Sequence, residues 1–145
     1  MTTTELTVEE FSARYDEAWG SHDVDAILAL HTEDTSFHLH LLGAPAVHGK
    51  DAVREAIVGL LTVWPDIRFD TQRLTATTDG YVTEYTLTAT LAVPLSFGDL
   101  VAQPTGKPLT ITGCDFFTLR DGKVASKRSY LDIASAQQQL GLLDR

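Results

Sequence analysis

Asp115 lies in a stretch, Leu109-Thr-Ile-Thr-Gly-Cys-Asp-Phe-Phe-Thr-Leu119, that alternates like a β-strand. Strand parity groups Leu109, Ile111, Gly113, Asp115, Phe117 and Leu119 on one face, an apolar set with one carboxyl inside it. An isolated carboxyl in such surroundings loses its hydration, which favours the neutral acid. A general acid at neutral pH, or a hydrogen-bond donor to an enolate oxygen, needs that form. A structural aspartate bonded to a helix end or a neighbouring hydroxyl fits the same pattern. Tyr15 is the second candidate. It shares a helical face with Phe11 and Trp19, so its ring is expected inside with a hydroxyl that must find a partner. A core tyrosine with a satisfied hydroxyl is the plainer alternative. His38 and His40 are the third, since spacing of two on a strand puts both imidazoles on one face, suited to moving a proton near neutral pH. If the strand is regular they point away from Phe37, Leu39 and Leu41, and a bulge would change that. A catalytic zinc needs about three protein ligands and no third is evident beside this pair, so no metal is expected. His31 and His48 look like surface or edge residues.

The elements that position these residues follow from caps, periods and turns. Thr7-Val-Glu-Glu10 is a capping box, and Val8, Phe11, Tyr15, Ala18 and Trp19 behind it share a helical face. Asp23 caps a shorter helix with Val24, Ile27, Leu28 and His31 on one stripe. A strand is expected from Thr35 to Leu42, ending at Gly43-Ala-Pro45. The clearest helix follows Gly49, where Val53, Ala56, Ile57, Leu60, Leu61 and Trp64 step by three and four until Pro65 stops it. The period then becomes two: strands from Ile67 to Ala76 and Tyr81 to Val93 flank Asp79-Gly80, and Leu109 to Leu119 and Lys123 to Leu131 flank Asp121-Gly122. Pro94 to Pro108 is expected as a long loop or a ragged hairpin end. A last helical turn, Ile133 to Leu140, closes at Gly141. Helices first and strands after them indicate an α+β fold with an antiparallel sheet curled over the helices.

Composition bounds the rest. With 145 residues, 43% hydrophobic and 21% charged, the chain is sized for one domain over residues 1–145. The net charge of −9 argues against nucleic-acid binding, which needs a clustered positive field. No apolar run approaches a membrane span, and the segment Met1 to Glu10 is too acidic and too polar for a secretory signal, so a cytoplasmic location is expected. A single cysteine, Cys114, excludes an internal disulfide and any cysteine cluster for zinc or iron–sulfur.

Several pieces resemble a known family. Arg14-Tyr15, Ala18, His22-Asp23, Ala26-Ile27, Ala29-Leu30 and Glu33-Asp34 are similar to the opening of the nuclear transport factor 2-like superfamily. Trp64-Pro-Asp66, Pro104-Thr-Gly-Lys107, Gly113-Cys-Asp115, Asp121-Gly-Lys-Val124, Tyr130-Leu-Asp132 and Gln139-Leu-Gly141 are similar to its SnoaL-like polyketide cyclase branch, over about residues 8–142. The resemblance implies a cone, a bent antiparallel sheet around three helices with a deep pocket, and a homodimer through the outer face of the sheet. It places Asp115 where ketosteroid isomerase keeps its oxyanion-hole acid and where the SnoaL-like cyclases keep their acid/base. Tyr15 falls at the isomerase's donor tyrosine, so that a Tyr15–Asp115 pair would form the oxyanion hole. The isomerase's general base falls on Leu39, which cannot accept a proton. The arginine and second aspartate of limonene epoxide hydrolase fall on Gly113 and Ser129, and scytalone dehydratase's Tyr-Asp pair falls on Trp19-Gly20, so neither activity is expected. The family geometry makes Trp19, Phe37, Leu39, Trp64, Tyr85, Phe117, Ser129 and Leu131 candidate walls of a substrate pocket, each also explicable as plain core.

Two functions are then in play. One is acid/base chemistry through an enol or enolate on an apolar, carbonyl-bearing molecule such as a polyketide or steroid-like ring, with Asp115, Tyr15 and His38 or His40 as catalytic groups and no cofactor. The other is a non-catalytic ligand-binding or scaffolding dimer, motivated by Leu39. Thr86, Thr88 and Thr90 share a strand face with Glu84, a polar flat surface suited to a dimer contact.

Overall fold

The computed structural model describes residues 6–143, so the first half of the Met1 to Glu10 segment lies outside the described residues. Helix α1, Val8–Gly20, starts at Thr7, whose hydroxyl oxygen accepts the Glu10 amide at 3.1 Å. The Glu10 carboxylate accepts from the same hydroxyl, rather than from the cap's backbone as a full capping box has it. Asp23 caps α2, Val24–Leu28, by accepting two amides. His31 is not on that helix. It opens strand β1, His31–His40, which begins four residues earlier than the alternation indicated and is followed by a short β2, Val47–His48. Helix α3 spans Lys50–Val63, and β3, Arg68–Ala76, and β4, Gly80–Ala89, follow it. The segment expected as a long loop or a ragged hairpin end holds a small antiparallel two-stranded sheet, β5 Leu95–Phe97 and β6 Leu100–Ala102. Strands β7, Leu109–Arg120, and β8, Lys123–Leu131, meet at Asp121-Gly122, both with positive φ as a two-residue type I′ turn requires. Helix α4 is Ile133–Gln139.

The large sheet runs β2-β1-β8-β7-β4-β3. Every pairing is antiparallel except β1 with β8, which is parallel, so the expected all-antiparallel sheet is corrected to a mixed one. Order along the chain could not give this, because the two strands are joined only through everything between them. Bulges in β3 at Thr71/Arg73 and in β7–β8 at Thr118/Leu119 bend the sheet over α1 and α3, giving an α+β cone.

The core divides into two clusters along the cone. One gathers Phe11, Tyr15, Trp19, Ile27, Val53, Ile57, Tyr81 and Phe117 beneath α1, α2 and α3. The other gathers Ile67, Tyr85, Leu87, Leu109 and Ile111 with residues of β5, β6 and α4. Gln139 clips α4 onto β7: its amide donates to the Thr110 carbonyl at 2.8 Å and its oxygen accepts the Thr110 amide at 2.9 Å.

Gly80 marks the tightest approach in the sheet, since a Cβ there would fall 1.8 Å from the carbonyl oxygen of Phe117. Gly80→Ala must therefore push β4 off β7, and is expected to cost about 3 kcal/mol. Urea unfolding of the two proteins checks it; an unchanged midpoint would show that the strand can shift freely.

Candidate functional site

Strand parity sends Leu109, Ile111, Asp115 and Phe117 of β7 inward, as expected, together with Phe37 and Leu39 from β1, Leu41 just beyond it and Leu131 from β8. The interior holds two compartments of opposite chemistry. The larger is a cavity of about 320 Å³ bounded by the end of β1, the second half of α3, β5, β7, β8 and α4. Phe37, Leu39, Trp64 and Leu131 line it as the pocket expectation had them, with Leu60, Phe97, Ile111 and Ile133 among the further walls. Apart from the Trp64 indole, every lining side chain is hydrocarbon. Leu95 and Phe97 come from the segment expected as a long loop or a ragged hairpin end, which thus forms part of the wall.

The smaller compartment sits deeper and is polar. Asp115 is 5% exposed, as its parity implied, but it is not isolated. The Tyr85 hydroxyl donates to its Oδ1 at 2.8 Å, and the Lys127 ammonium stands 3.8 Å from its Oδ2. Tyr85 reaches it because Gly113, opposite in the register, has no side chain; a Cβ there would stand 3.0 Å from the Tyr85 ring. The expectation of an isolated carboxyl is therefore corrected, since a donor and a cation already serve both oxygens. Beside the pair is a void of about 20 Å³, enough for one water or one oxygen atom, bordered by Asp16, Thr71, Thr83, Tyr85, Asp115 and Lys127. Thr71 donates to Asp16 at 3.0 Å. Burial raises the Asp16 carboxyl above the usual carboxylate range, against the opposing pull of Thr71 and Lys127. Burial also lowers the Lys127 ammonium, while Asp115 and Asp16 draw it back up.

Tyr15 lines the same void, but its hydroxyl is engaged elsewhere. It shares a 2.9 Å hydrogen bond with Nε2 of His31, whose Nδ1 shares one of 2.8 Å with the Thr35 hydroxyl. The expected Tyr15–Asp115 pair is not made; the donor to Asp115 is Tyr85. His31, expected at the surface, is 1% exposed. Burial, with the nearby Lys127 and Lys50, depresses its pKa to about 3. A neutral imidazole donates with one nitrogen and accepts with the other, which satisfies both hydroxyl partners.

His38 and His40 lie on the opposite face of the sheet, because β1 is regular from Ser36 onward and Phe37, Leu39 and Leu41 take the inner side. Their ring centroids lie 3.6 Å apart with the planes tilted by 30°, His40 stacks on Tyr130 at 4.0 Å, and Nε2 of His38 donates to the Ala44 carbonyl. Neither borders the cavity or the void, which corrects their place as pocket groups. Trp19, Tyr85 and Phe117 surround the polar compartment, and Ser129 is buried beside Asp115 in the strand register. Among the described residues no group of three or more His, Cys, Asp or Glu is arranged to hold a metal ion. Lys127 is the residue that parity alone would have found: it shares the inward side of β8 with Ser129 and Leu131. Asp16 and Thr71 carry no such signal, since they meet across 55 residues.

The chain matches the model of the SnoaL-like domain family over residues 12–127. Among solved structures it is similar to a protein from Jannaschia sp. CCS1 assigned as a SnoaL-like polyketide cyclase, at 22% identity and a TM-score of 0.80 over 100% of this chain and 98% of that one. IdmH of Streptomyces antibioticus, assigned as a polyketide cyclase, matches at 21% identity and a TM-score of 0.77, over 94% and 99%. A hypothetical protein of Catenulispora acidiphila with a ketosteroid isomerase-like fold, in complex with trimethylamine, matches at 15% identity and 0.76, over 94% and 95%. At these identities the likeness is one of fold.

His31 gives the site a pH signature. Its folded pKa of about 3 lies below the ordinary 6.5, so the unfolded chain binds a proton that the folded one refuses. The contribution to stability is complete above pH 6.5 and falls by about 1.4 kcal/mol per pH unit as pH drops towards 3. In His31→Gln this slope is expected to vanish, which denaturant melts of both proteins between pH 7 and 4 will read; parallel curves would mean that the imidazole is charged in the fold.

Proposed function

Since the chain belongs to the SnoaL-like domain family, we propose that it binds an apolar, ring-bearing small molecule in the large cavity. The observation that carries this is the lining: about 320 Å³ of space with hydrocarbon walls and one indole. Such a cavity lies in the size range of small-molecule sites, and its apolar surface is stabilised by any ligand that displaces water from it. A ligand hydroxyl buried there would find no side-chain partner other than Trp64 and would lose its water hydrogen bonds, a cost of about 1–3 kcal/mol.

A second reading is acid/base chemistry through an enol or enolate on a carbonyl-bearing polyketide or steroid-like ring. It is supported by the void beside Asp115. A carbonyl oxygen of that size would meet the Lys127 ammonium as donor, with Asp115 alongside to take or return a proton. The neighbours assigned as polyketide cyclases point the same way. Against it stands the layer of Phe37 and Tyr85, which separates the cavity from the pair.

The two readings part on one variant. Quenching of tryptophan fluorescence by an unsubstituted polycyclic ketone is expected to show binding, weakened about tenfold or more by each added hydroxyl. Asp115→Asn should leave that binding unchanged. If the ketone also exchanges its α-protons for deuterium in the wild type and Asp115→Asn abolishes the exchange, the second reading holds. Failure of every apolar probe to bind would reject both.

The expected homodimer belongs on the outer sheet face, where Tyr130 is 43% exposed beside His40 and Phe116, and the Thr88 and Thr110 hydroxyls meet at 3.4 Å. Light scattering at micromolar concentration is expected to give twice 15.9 kDa. A monomeric mass rejects this contact.

A further inference from the structure

Lys127 carries a charge into the interior, with its side chain 5% exposed. Its nearest anionic oxygen is 3.8 Å away, well beyond the 2.7–2.9 Å of a charge-assisted hydrogen bond. A short ion-pair contact therefore does not fix the nitrogen. Aromatic faces do. Nζ lies 4.2 Å from the centroid of Trp19, 5.3 Å from those of Tyr15 and Phe37, and 5.8 Å from that of Phe117. Each is inside the roughly 6 Å within which a ring quadrupole attracts a cation, and tryptophan, the strongest of these rings, is the nearest.

The cage is held by contacts that do not involve the lysine. The Tyr15 hydroxyl is fixed by His31, Trp19 packs edge-on against Phe69 at 5.6 Å, and Phe117 stacks on Tyr81 at 4.5 Å. The carboxylate facing the cage is oriented by Tyr85. Rings and carboxylate thus converge on a point, and contacts other than those with the lysine hold Tyr15, Trp19, Phe117 and Asp115 there.

We propose that the deep end of the cone is a preformed ammonium-binding site, which this chain fills with its own Lys127, and that the ligand class it recognises is a small primary alkylammonium. A neutral group in the same place gains packing but neither the ring quadrupoles nor the attraction of Asp115. The site meets the apolar cavity at Phe37, which belongs to both, and none of its other rings lines that cavity. It also explains why the large cavity ends at Phe37: the space below is already occupied.

The test is replacement of the internal ligand by an external one in the full chain. Lys127→Ala removes Cγ, Cδ, Cε and Nζ, which n-propylammonium restores atom for atom, and propan-1-ol matches that length without the charge. With sodium chloride balancing ionic strength, n-propylammonium is expected to raise the melting temperature of Lys127→Ala and to bind roughly tenfold or more tightly than propan-1-ol by calorimetry. It should leave the wild type unchanged, and the preference should disappear in Lys127→Ala with Trp19→Leu. Equal effects of amine and alcohol, or no binding to folded Lys127→Ala, overturn the proposal. If Lys127→Ala folds only with n-propylammonium, the proposal stands. If it folds with neither, the wild type decides by NMR: ε-methylene protons of Lys127 shifted upfield by the surrounding rings support the cage, and ordinary lysine shifts overturn it.

Discussion

A lysine ammonium in the interior of a 145-residue domain imposes more on its surroundings than any other group in this molecule. Taking a cation out of water costs several kcal/mol even after the protein relaxes, and the cost is offset only by well-placed partners. Asp115 supplies the opposite charge, Tyr85 fills the second carboxylate oxygen, and four rings supply their negative faces. Each partner makes its own demand. Tyr85 can cross the sheet only over a residue without a side chain, and Gly113 is that residue. Tyr15 keeps a polar atom inside and needs His31, which must stay neutral beside a cation and in turn needs Thr35. Much of the deep polar architecture can be traced back to the one charge.

The division of the interior into an apolar and a polar compartment is written along the strands. On β7 the inward residues go from Leu109 and Ile111 to Asp115 and Phe117; on β8, traversed the other way, from Lys127 through Ser129 to Leu131; on β4 from Thr83 and Tyr85 to Leu87. Because these strands are antiparallel and in register, Thr83, Asp115 and Ser129 fall in one row across the sheet, with Tyr81, Phe117 and Lys127 in a row on one side of it and Leu87 with Ile111 towards the other end. Side-chain identity along a single strand thus becomes depth in the cone, with Phe37 and Tyr85 at the boundary.

Most of this was legible in the sequence wherever the physics is local. The Thr7 and Asp23 caps, the stop at Pro65, the turn at Asp121-Gly122 and the inward side of β7 all follow from neighbours a few residues apart. What was not legible depends on residues that meet only in three dimensions. His31 follows a helical stripe and looks like its last member, yet it opens a strand whose partner β8 is over 90 residues away. The parallel pairing of those strands has no signature in either one. Asp115 was correctly placed inside by parity, but its isolation was an assumption about β8 and β4. Parity on β8 put Lys127 on the same side as Ser129, and a lysine at such a position signals a buried cation in need of an anion.

Leu39 and Lys127 act together on what the interior can do. A leucine at Leu39 leaves the large cavity without a side-chain proton acceptor in its wall, and in the layer below the ammonium at Lys127 takes up one side of Asp115 while Thr71 holds Asp16. A ligand in the cavity therefore meets hydrocarbon, while the groups able to move protons are engaged with one another beneath it. Proton transfer to such a ligand would require Phe37 or Tyr85 to turn aside, and turning Tyr85 breaks its 2.8 Å bond to a buried carboxyl. Leaving that acceptor short of a donor costs on the order of 1–3 kcal/mol. This is well below the stabilisation that burying a polycyclic ligand in an apolar cavity provides, at about 25 cal/mol per Å² of apolar surface. Ligand binding is thus energetically able to open the boundary, and whether a given ligand does so depends on whether it has an oxygen to place where the tyrosine was.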